Sequence, residues 1–389
     1  MLLAGLSAVG PFSIDAYLPS LFEIGRTFNA PQAVVQQTLT AFMIPFAAMT
    51  LWQGAISDAL GRRRVTLFML ALFSLASFGC MLSWSIGALM FFRVVQGMTA
   101  GAGMVIGRAV VRDVLDGAEA RRLMATVSIM FALVPSIAPV IGGWLHVWFG
   151  WRSVFAFGGL FAAAMWYACW RSMPETLPPS RRQPLEVKPL LLGYWQALQS
   201  PPFVALVLAV TLNFAALFVY IISAPAFLME HLHLKETEFL WLFAPVTCGI
   251  LGGTWISGRL AGRVSNRRTV VCAYGLMAMA ALGNLVFHSF YPPRLPWSIV
   301  PLVFYCIGNS MAMPCLTLMA LDLFPTRRGL ASSCQSFTQS SGNALITAVV
   351  APLVWGTTLR LSATMAATLA LGMLSFAIFE VLVRRKAAV

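Results

Sequence analysis

Twelve apolar stretches alternate with short polar connections along the chain. Each stretch has roughly 20 residues, the length at which an α-helix crosses the hydrocarbon core of a bilayer. Strands of a membrane β-barrel would instead alternate apolar and polar residues over about ten positions. The pattern predicts an all-α membrane protein with spans at 1–22, 32–57, 65–85, 87–110, 122–146, 152–170, 201–225, 238–262, 269–288, 296–320, 330–355 and 361–383.

The overall composition agrees with a lipid environment. Of the 389 residues, 59% are hydrophobic and 10% are charged, and the mean hydropathy is +0.81. Soluble domains have about 25% charged residues. A chain this apolar needs the lipid bilayer as its solvent, and within lipid only helices or closed barrels satisfy their backbone groups. The first stretch has no preceding basic segment and no small-residue cleavage site, so we expect no removable signal peptide.

The basic residues are unevenly distributed between alternate connections. The formal net charge of +13 would by itself also fit a nucleic-acid-binding protein. The lysines and arginines, however, concentrate at every second connection, as at Arg62–Arg64, Arg181–Arg182 and Arg267–Arg268. Cytoplasmic loops of membrane proteins have this excess. We therefore expect both termini to be cytoplasmic, and we expect no nucleic-acid partner.

A polar stretch at 171–200 divides the spans into two sets of six. It predicts an N-terminal bundle at 1–170, a cytoplasmic linker at 171–200 and a C-terminal bundle at 201–389. Two loops also repeat: Gly54 falls on Gly258 after 204 residues, and Asp116 falls on Asp322 after 206. Two matches at nearly one offset indicate a duplication. In transporters built from such repeats, the substrate site lies between the halves near the middle of the membrane.

Four sequence motifs identify a family resemblance. They are Gly54-x3-Asp58-x2-Gly61-Arg62-Arg63-Arg64 after the second span, Arg93-x2-Gln96-Gly97 in the fourth, Pro135 with Ala138-Pro139-Val140-Ile141-Gly142-Gly143 in the fifth, and Ser13-Ile14-Asp15-Ala16-Tyr17-Leu18-Pro19 in the first. The loop motif resembles that of the major facilitator superfamily, and the others resemble its twelve-helix drug:proton antiporters of the Bcr/CflA multidrug efflux subfamily. Arg112-Asp113 and Pro174-Glu175-Thr176 fit that subfamily as well.

The resemblance implies a specific fold and activity. The expected fold is two six-helix bundles around a central cavity. The expected protein is a monomeric transporter of the bacterial inner membrane that exchanges protons for drugs or other amphipathic small molecules by alternating access. The chain departs from the family pattern at Ala138, where a glycine is usual, and in the second copy of the loop motif. There Gly262 replaces the acid and Asn266 an arginine, so we expect that copy to lack its acidic half.

Asp15 is the acidic residue that lies well inside a predicted span. A carboxylate at that depth costs roughly 3 kcal/mol or more unless it is protonated, paired or facing water. The position therefore predicts a group that binds proton or substrate in turn. The alternative is an aspartate at a helix end that only bonds nearby backbone before Pro19.

Arg93 is the corresponding basic residue in the fourth predicted span. A buried arginine must pair with a carboxylate, a carbonyl oxygen or water. We predict that Arg93, next to Gln96, either influences protonation of Asp15 or joins helices through backbone carbonyls. The sequence does not distinguish these two roles.

Two further motifs predict conformational roles. In the loop motif, Asp58 and Arg62–Arg64 are expected to form a conformational latch, with Gly54 and Gly61 allowing close packing and a tight turn. The resemblance adds Gln96 and Gly97 to this latch. In the fifth span, prolines remove backbone donors and glycines permit close packing, which predicts a gating kink. Its residues are Pro135, Pro139, Gly142 and Gly143.

Aromatic, methionine and amide side chains within the spans are candidates for the substrate wall, since a broad-specificity pocket needs adaptable apolar surfaces and few polar groups. With Asp15 they are Tyr17, Gln37, Phe42, Met43, Asn213, Phe214, Tyr220, Asn309, Met313, Gln335 and Gln339. Each of them, taken alone, is more often used for packing or hydrogen bonding between helices.

Other classes of protein find little support. The seven cysteines are scattered, and His231 with His233 gives no convincing metal set. We find no catalytic constellation and no phosphate-binding loop, so neither an enzyme nor a cofactor such as ATP is implied. A membrane enzyme or receptor would need one of these or a sizeable soluble domain. A proton-driven importer of a small nutrient is the alternative transporter, against which the first- and fifth-span motifs argue.

Overall fold

The computed structural model describes residues 2–114, 117–182, 185–325 and 328–387. These residues form helices and turns without any β-strand, so the predicted all-α class is confirmed. The helices are α1 (Leu2–Asp15), α2 (Leu21–Thr27), α3 (Gln32–Leu60), α4 (Arg62–Met81), α5 (Ile86–Ala100), α6 (Ala102–Val114), α7 (Gly117–Phe149), α8 (Arg152–Ser172), α9 (Val187–Leu198), α10 (Pro201–Ile222), α11 (Leu240–Leu260), α12 (Asn266–Phe290), α13 (Val300–Asp322), α14 (Arg328–Leu345), α15 (Ala351–Val354) and α16 (Thr358–Ala387).

Every predicted span overlaps one or more of these helices. Within the described ranges, nine helical runs are long and apolar enough to cross a membrane, with α5 and α6 counted as one run through Gly101. The fifth predicted span corresponds to α7, whose second half at Leu133–Phe149 is apolar. The first and eleventh predicted spans are each divided into shorter helices.

Prolines coincide with both divisions. In the first span, a 3₁₀ turn at Leu18–Ser20 containing Pro19 separates α1 from α2. In the eleventh, a π-helical turn at Ile346–Val350 separates α14 from α15, directly before Pro352. Proline has no backbone N–H and its ring collides with the preceding turn, so regular α-helical hydrogen bonding is interrupted there.

The chain divides into two compact units. The first comprises Met1–Glu186 with Lys235–Leu240, and the second comprises Val187–Leu234 with Trp241–Val389. The division falls within the stretch predicted as the linker. That stretch also contains a helix, α9, which the polar composition of 171–200 did not indicate.

Glycines allow the closest helix crossings of the first unit. A Cβ atom on Gly97 in α5 would overlap the carbonyl oxygen of Phe42 in α3. A Cβ on Gly142 in α7 would overlap the carbonyl oxygen of Ala16, just after α1. Small residues at these crossings let two backbones approach, which is how helices associate without a hydrophobic driving force in lipid. The crossings fix α1 and α3, which surround the site described next.

Candidate functional site

A fully buried arginine joins three helices of the first unit. Arg93 lies two turns into α5, which begins at Ile86 after a Ser85 side-chain cap. Its Nη1 donates to the carbonyl oxygen of Ser13 in α1 at 3.2 Å, and its Nε lies 3.5 Å from that of Thr38 in α3. A planar guanidinium with several donors is suited to acceptors on different helices. Arg93 therefore connects α1, α3 and α5.

Aromatic rings surround the same guanidinium. Its central carbon lies 4.4 Å from the ring centre of Phe42, 4.8 Å from that of Tyr17 and 5.9 Å from that of Phe155. These distances permit cation–π attraction, which strengthens away from water. The Tyr17 hydroxyl is 2.7 Å from Thr38 Oγ1, and Thr38 donates to a backbone carbonyl at 2.6 Å. Tyr17 and Phe42, predicted for the substrate wall, are fully buried against Arg93 in this conformation.

Gln96 extends the network toward α4. Its Oε1 accepts from Arg93 Nη1 at 3.0 Å, and its Nε2 donates to Ser77 Oγ at 2.7 Å. Gln96 and Gly97 were assigned to the conformational latch on the resemblance, and that role stays a prediction. Gln96 bonds Arg93 inside the bundle, and Gly97 lies at the crossing with α3.

Asp15 is the last residue of α1 and is 5% exposed. Among residues 2–114, 117–182, 185–325 and 328–387, no hydrogen bond or ion pair joins its carboxylate to another side chain or backbone group. Arg93 makes no ion pair with it, and Arg93 Nη2 has no hydrogen-bond partner within the same ranges. Of the two roles predicted for Arg93, these contacts fit the joining of helices through carbonyl oxygens. Asp15 is thus a buried acid without a partner among the described residues.

A second charged cluster lies at the opposite end of the first unit. Arg62, the first residue of α4, is 7% exposed. It pairs with Asp58 at 2.5 Å and, through Nε, with Asp113 at 3.1 Å. Its backbone N–H donates to Glu175 Oε1 at 2.9 Å. We call Asp58, Arg62, Asp113 and Glu175 the cytoplasmic cluster, after the side of the membrane predicted from the sequence, and it joins α3, α4, α6 and the segment after α8.

The cytoplasmic cluster agrees with the predicted latch only in part. Gly61 has φ +99°, a conformation that favours glycine, and its turn brings the start of α4 to Glu175. Arg63 donates to the carbonyl oxygen of Trp170 at 2.7 Å. Arg64 instead faces outward, and it makes no ion pair with any described residue. The nearest atom to a Cβ on Gly54 would lie 3.8 Å away, so Gly54 is not required for a close crossing.

Asp113 and Glu175 are the members of the cluster to which the sequence assigned no role. Glu175 accepts from the backbone at the N-terminus of α4, where a negative charge is favourable. Thr176 Oγ1 donates to Asp113 Oδ2 at 3.2 Å, which ties the two segments together. Both acids belong to short motifs, Arg112-Asp113 and Pro174-Glu175-Thr176, that follow membrane spans. The sequence signal that could have identified Asp113 and Glu175 was an acid at each of these helix ends, in a chain with a cluster of arginines between the second and third spans.

The second unit has a comparable ion pair. Arg267 in α12 stands 204 residues after Arg63, and Glu380 in α16 stands 205 residues after Glu175. Arg267 Nη2 and Glu380 Oε2 are 2.6 Å apart. The second loop copy has Gly262 at the position of Asp58, and the acid that pairs with Arg267 comes from the last helix; whether this pair acts as a latch stays a prediction.

A charge exchange tests the Arg267–Glu380 pair. We expect Arg267→Glu and Glu380→Arg each to lower the melting temperature of the purified protein, and the double variant to recover most of the loss. A half-exposed pair contributes about 0.5–1 kcal/mol, so the shifts are small but measurable. Arg328 Nη2 and Asp322 Oδ1 also lie 2.8 Å apart, but both side chains are 61% exposed. The charge exchange of this second pair is the matched control, for which we expect no shift in melting temperature. Additive losses in the Arg267–Glu380 double variant would contradict the pairing.

In the fifth span, α7 continues through both Pro135 and Pro139. The predicted gating kink at this helix stays a prediction. Gly142 is buried at the crossing with Ala16, and Gly143 is buried one position further on. Because Gly142 lies against Ala16, the residue after Asp15, this part of α7 is near Asp15.

Gly142→Ala tests the crossing between α1 and α7. The new Cβ would meet a backbone oxygen, which cannot rotate away as a side chain can. We expect a loss of about 1–3 kcal/mol, as for other overpacked sites, measured as a lower melting temperature in detergent. Gly158 in α8 is also buried, but nothing lies within 4 Å of its Cβ position, so Gly158→Ala is the matched control. Equal melting temperatures for the two variants would show that the crossing does not need glycine.

The substrate-wall candidates of the second unit divide into two groups. Asn213 and Tyr220 are fully buried and bond other helices: Asn213 Nδ2 donates to Tyr274 Oη at 2.9 Å, and Tyr220 Oη accepts from Asn284 at 2.7 Å. These hydrogen bonds join helices, although Asn213 Oδ1 has no partner among the described residues, and the substrate-wall role of both residues stays a prediction. The remaining candidates are half-buried Phe214, Met313 and Gln339, and buried Asn309 and Gln335. In the first unit, Met43 is buried and Gln37 is exposed.

Among the described residues, no group of three or more His, Cys, Asp or Glu side chains is arranged so that it could hold a metal ion.

Comparisons with known proteins agree with this arrangement. Residues 3–347 match the family model described as Major Facilitator Superfamily. The uncharacterized MFS-type transporter YdgK of Bacillus subtilis strain 168 is 29% identical over 380 residues, covering 96% of this chain and 93% of the relative. Multidrug resistance protein D of Escherichia coli strain K12 is 26% identical, covering 91% and 88%. The bicyclomycin resistance protein homolog of Haemophilus influenzae is 24% identical, covering 95% and 93%.

Solved structures resemble the chain over nearly its whole length. A crystal structure of a D-xylose-proton symporter has a TM-score of 0.73 at 15% identity and covers 95% of this chain and 96% of its own. An inward-facing, occupied structure of a bacterial homolog of the human lysosomal transporter Spinster has a TM-score of 0.71 at 16% identity, covering 98% and 96%. At this identity the likeness concerns the fold alone, and it confirms the predicted major facilitator fold.

Proposed function

Because the chain belongs to the major facilitator superfamily of membrane transporters, we propose that it expels drugs or other amphipathic small molecules from the cell in exchange for protons. The observation that supports this most is Asp15, a buried acid inside a membrane span whose carboxylate has no partner among the described residues. Relatives that share most of the chain's length are named for multidrug and bicyclomycin resistance. Those names describe the relatives and support the same class of substrate here.

The proposed cycle uses Asp15 for proton and substrate in turn. An unpaired carboxylate inside a membrane is costly, and either a proton or a substrate with positive charge would relieve that cost. The two ligands therefore compete for one group. Each shifts the balance between outward- and inward-facing states only by the difference in its affinity for them. Release of the proton to the cytoplasm would then prepare Asp15 for substrate.

Arg93 and the cytoplasmic cluster have supporting roles in this proposal. Arg93 fixes the C-terminal part of α1 through the carbonyl oxygen of Ser13, two residues before Asp15. Arg62 joins four segments at the end that we place in the cytoplasm. Breaking and remaking such ion pairs would separate the outward-facing state from the inward-facing one. In this proposal the protein lies in the bacterial inner membrane with both termini in the cytoplasm.

Dye transport in everted membrane vesicles tests the function. Everted vesicles expose the cytoplasmic face, so an exporter accumulates a fluorescent cationic dye inside them when the interior is acidic. We expect accumulation to exceed that of vesicles without the transporter and to disappear when a protonophore collapses the pH gradient. Accumulation that survives the protonophore would contradict proton coupling. If the dye instead accumulated only in right-side-out vesicles, the result would contradict efflux and favour import.

A further inference from the structure

Helix α9 of the linker packs one face against the second unit, and the large apolar side chains on its opposite face are exposed. We propose that the uncovered face lies on the cytoplasmic surface of the membrane, with Leu191, Leu192 and Trp195 inserted among the lipid headgroups and Lys188 beside anionic ones. This inference needs only that α10 spans the membrane, and it is independent of the transported substrate.

The first face of α9 is attached to the second unit. Tyr194 is 8% exposed, Ala197 is fully buried, and a Cβ on Gly193 would overlap the side chain of Leu330 in α14. Contacts also reach α10, so the helix is held against two spans. The orientation of the opposite face is therefore fixed, and not free to turn inward.

That opposite face is apolar and exposed. Leu191 is 48% exposed, Leu192 53% and Trp195 60%. At 3.6 residues per turn these three side chains lie within about 100° of one another, on the far side of the helix from Gly193 and Ala197. Three large apolar side chains together on a water-facing helix are unfavourable and indicate a partner.

Chain connectivity determines where this face lies. Only Gln199 and Ser200 separate the end of α9 from Pro201, where the spanning helix α10 begins. The three Cα–Cα steps from Leu198 to Pro201 span at most about 11 Å. The headgroup layer on each side of the hydrocarbon core is about 5–8 Å deep. The end of α9 is thus held within or directly beside the headgroup layer.

The side chains fit lipid better than a protein partner. Tryptophan concentrates at membrane interfaces, where its ring is apolar and its N–H remains hydrated. Lys188 is exposed and lies on the same stripe one turn before Leu191 and Leu192, where an ammonium group can reach anionic headgroups while its stem covers apolar surface. A short helix with one apolar face and a basic residue is typical of interfacial segments.

Spin labels on the full-length protein in nanodiscs test the proposal. The two exposed cysteines, Cys248 and Cys272, are first replaced by serine, and the other five are buried. Single cysteines are then introduced as Leu191→Cys, Leu192→Cys and Trp195→Cys. Ser180→Cys, an exposed polar position of the same linker, is the matched control. Monodisperse behaviour in size-exclusion chromatography confirms that each variant folds before its collision rates with oxygen and with a water-soluble nickel chelate are measured.

We expect all three labels on the apolar face to collide more with oxygen and less with nickel than the label at Ser180. In discs that contain phosphatidylglycerol, the difference should exceed that in phosphatidylcholine alone, and Lys188→Gln should remove this lipid dependence. Nickel accessibility equal to that of Ser180 would overturn the proposal by placing the face in water. Protection from both reagents would also overturn it, because a protein surface would then be the occupant.

Discussion

Asp15→Asn is expected to reduce proton-driven dye accumulation to the level of vesicles without the transporter. Asparagine has nearly the same shape but binds no proton, so the variant loses the coupling group while keeping the fold. Asp15 makes no hydrogen bond or ion pair with any described residue, so the substitution breaks no contact that the structure shows. The melting temperature should therefore not show the fall that follows from breaking a buried hydrogen bond, which would cost about 1–3 kcal/mol.

Two further variants sharpen this test. Asp15→Glu keeps an acid and should retain part of the transport, because one added methylene moves the carboxyl without removing it. Asp322→Asn removes an exposed acid and is the matched control with normal transport expected. Full proton-driven accumulation by Asp15→Asn would assign proton coupling to another group. A large drop in its melting temperature would instead indicate that Asp15 has the structural role that the sequence left open.

The periodicity of the sequence was sufficient for the position and order of the membrane-length helical segments. Apolar stretches of membrane length are set by bilayer thickness, so each predicted span finds a helix within a few residues. The division of the first span at Leu18–Ser20 was not predicted, although Pro19 was visible. Membrane helices often continue through proline, as α7 does at Pro135 and Pro139, so proline alone does not locate a break.

The candidate site was predictable in its charged residues and less so in its partners. Asp15 and Arg93 are conspicuous because charges are rare inside spans. Their lack of an ion pair depends on side-chain directions that no sequence pattern encodes. Glu175 and Glu380 act across more than 100 residues of sequence, and only the fold brings them to Arg62 and Arg267.

Polar residues inside spans were the least predictable. Asn213 and Tyr220 have the composition expected of a substrate wall, yet both are fully buried in hydrogen bonds between helices. Lipid provides no hydrogen bonds, so helices of a bundle use amides and hydroxyls to bind each other. An amide within a span can therefore either bind another helix or line the substrate pathway. The face of the helix on which the amide lies decides between these two uses.

Arg93→Met is expected to be the most destabilising of these substitutions. It leaves the carbonyl oxygen of Ser13 without its donor and removes the cation from three aromatic rings, whereas the carbonyl oxygen of Thr38 keeps its helical donor within α3. An unsatisfied buried acceptor costs about 1–3 kcal/mol, so the melting temperature should fall by several degrees and transport with it. Arg152→Met is the matched control, because Arg152 is exposed and donates one bond, to Ser83 at 3.1 Å. We expect a smaller change there.

Arg93→Lys separates the two roles predicted for this residue. Lysine keeps the charge but concentrates its donors on one atom, which cannot reach acceptors on three helices as the planar guanidinium does. If Arg93 joins helices, the variant loses stability, and the transport that remains keeps the pH dependence of wild type. If Arg93 instead biases protonation of Asp15, the pH profile shifts while the melting temperature changes little. The contacts to Ser13 and Thr38 lead us to expect the first result, since Arg93 reaches backbone oxygens and not the carboxylate of Asp15.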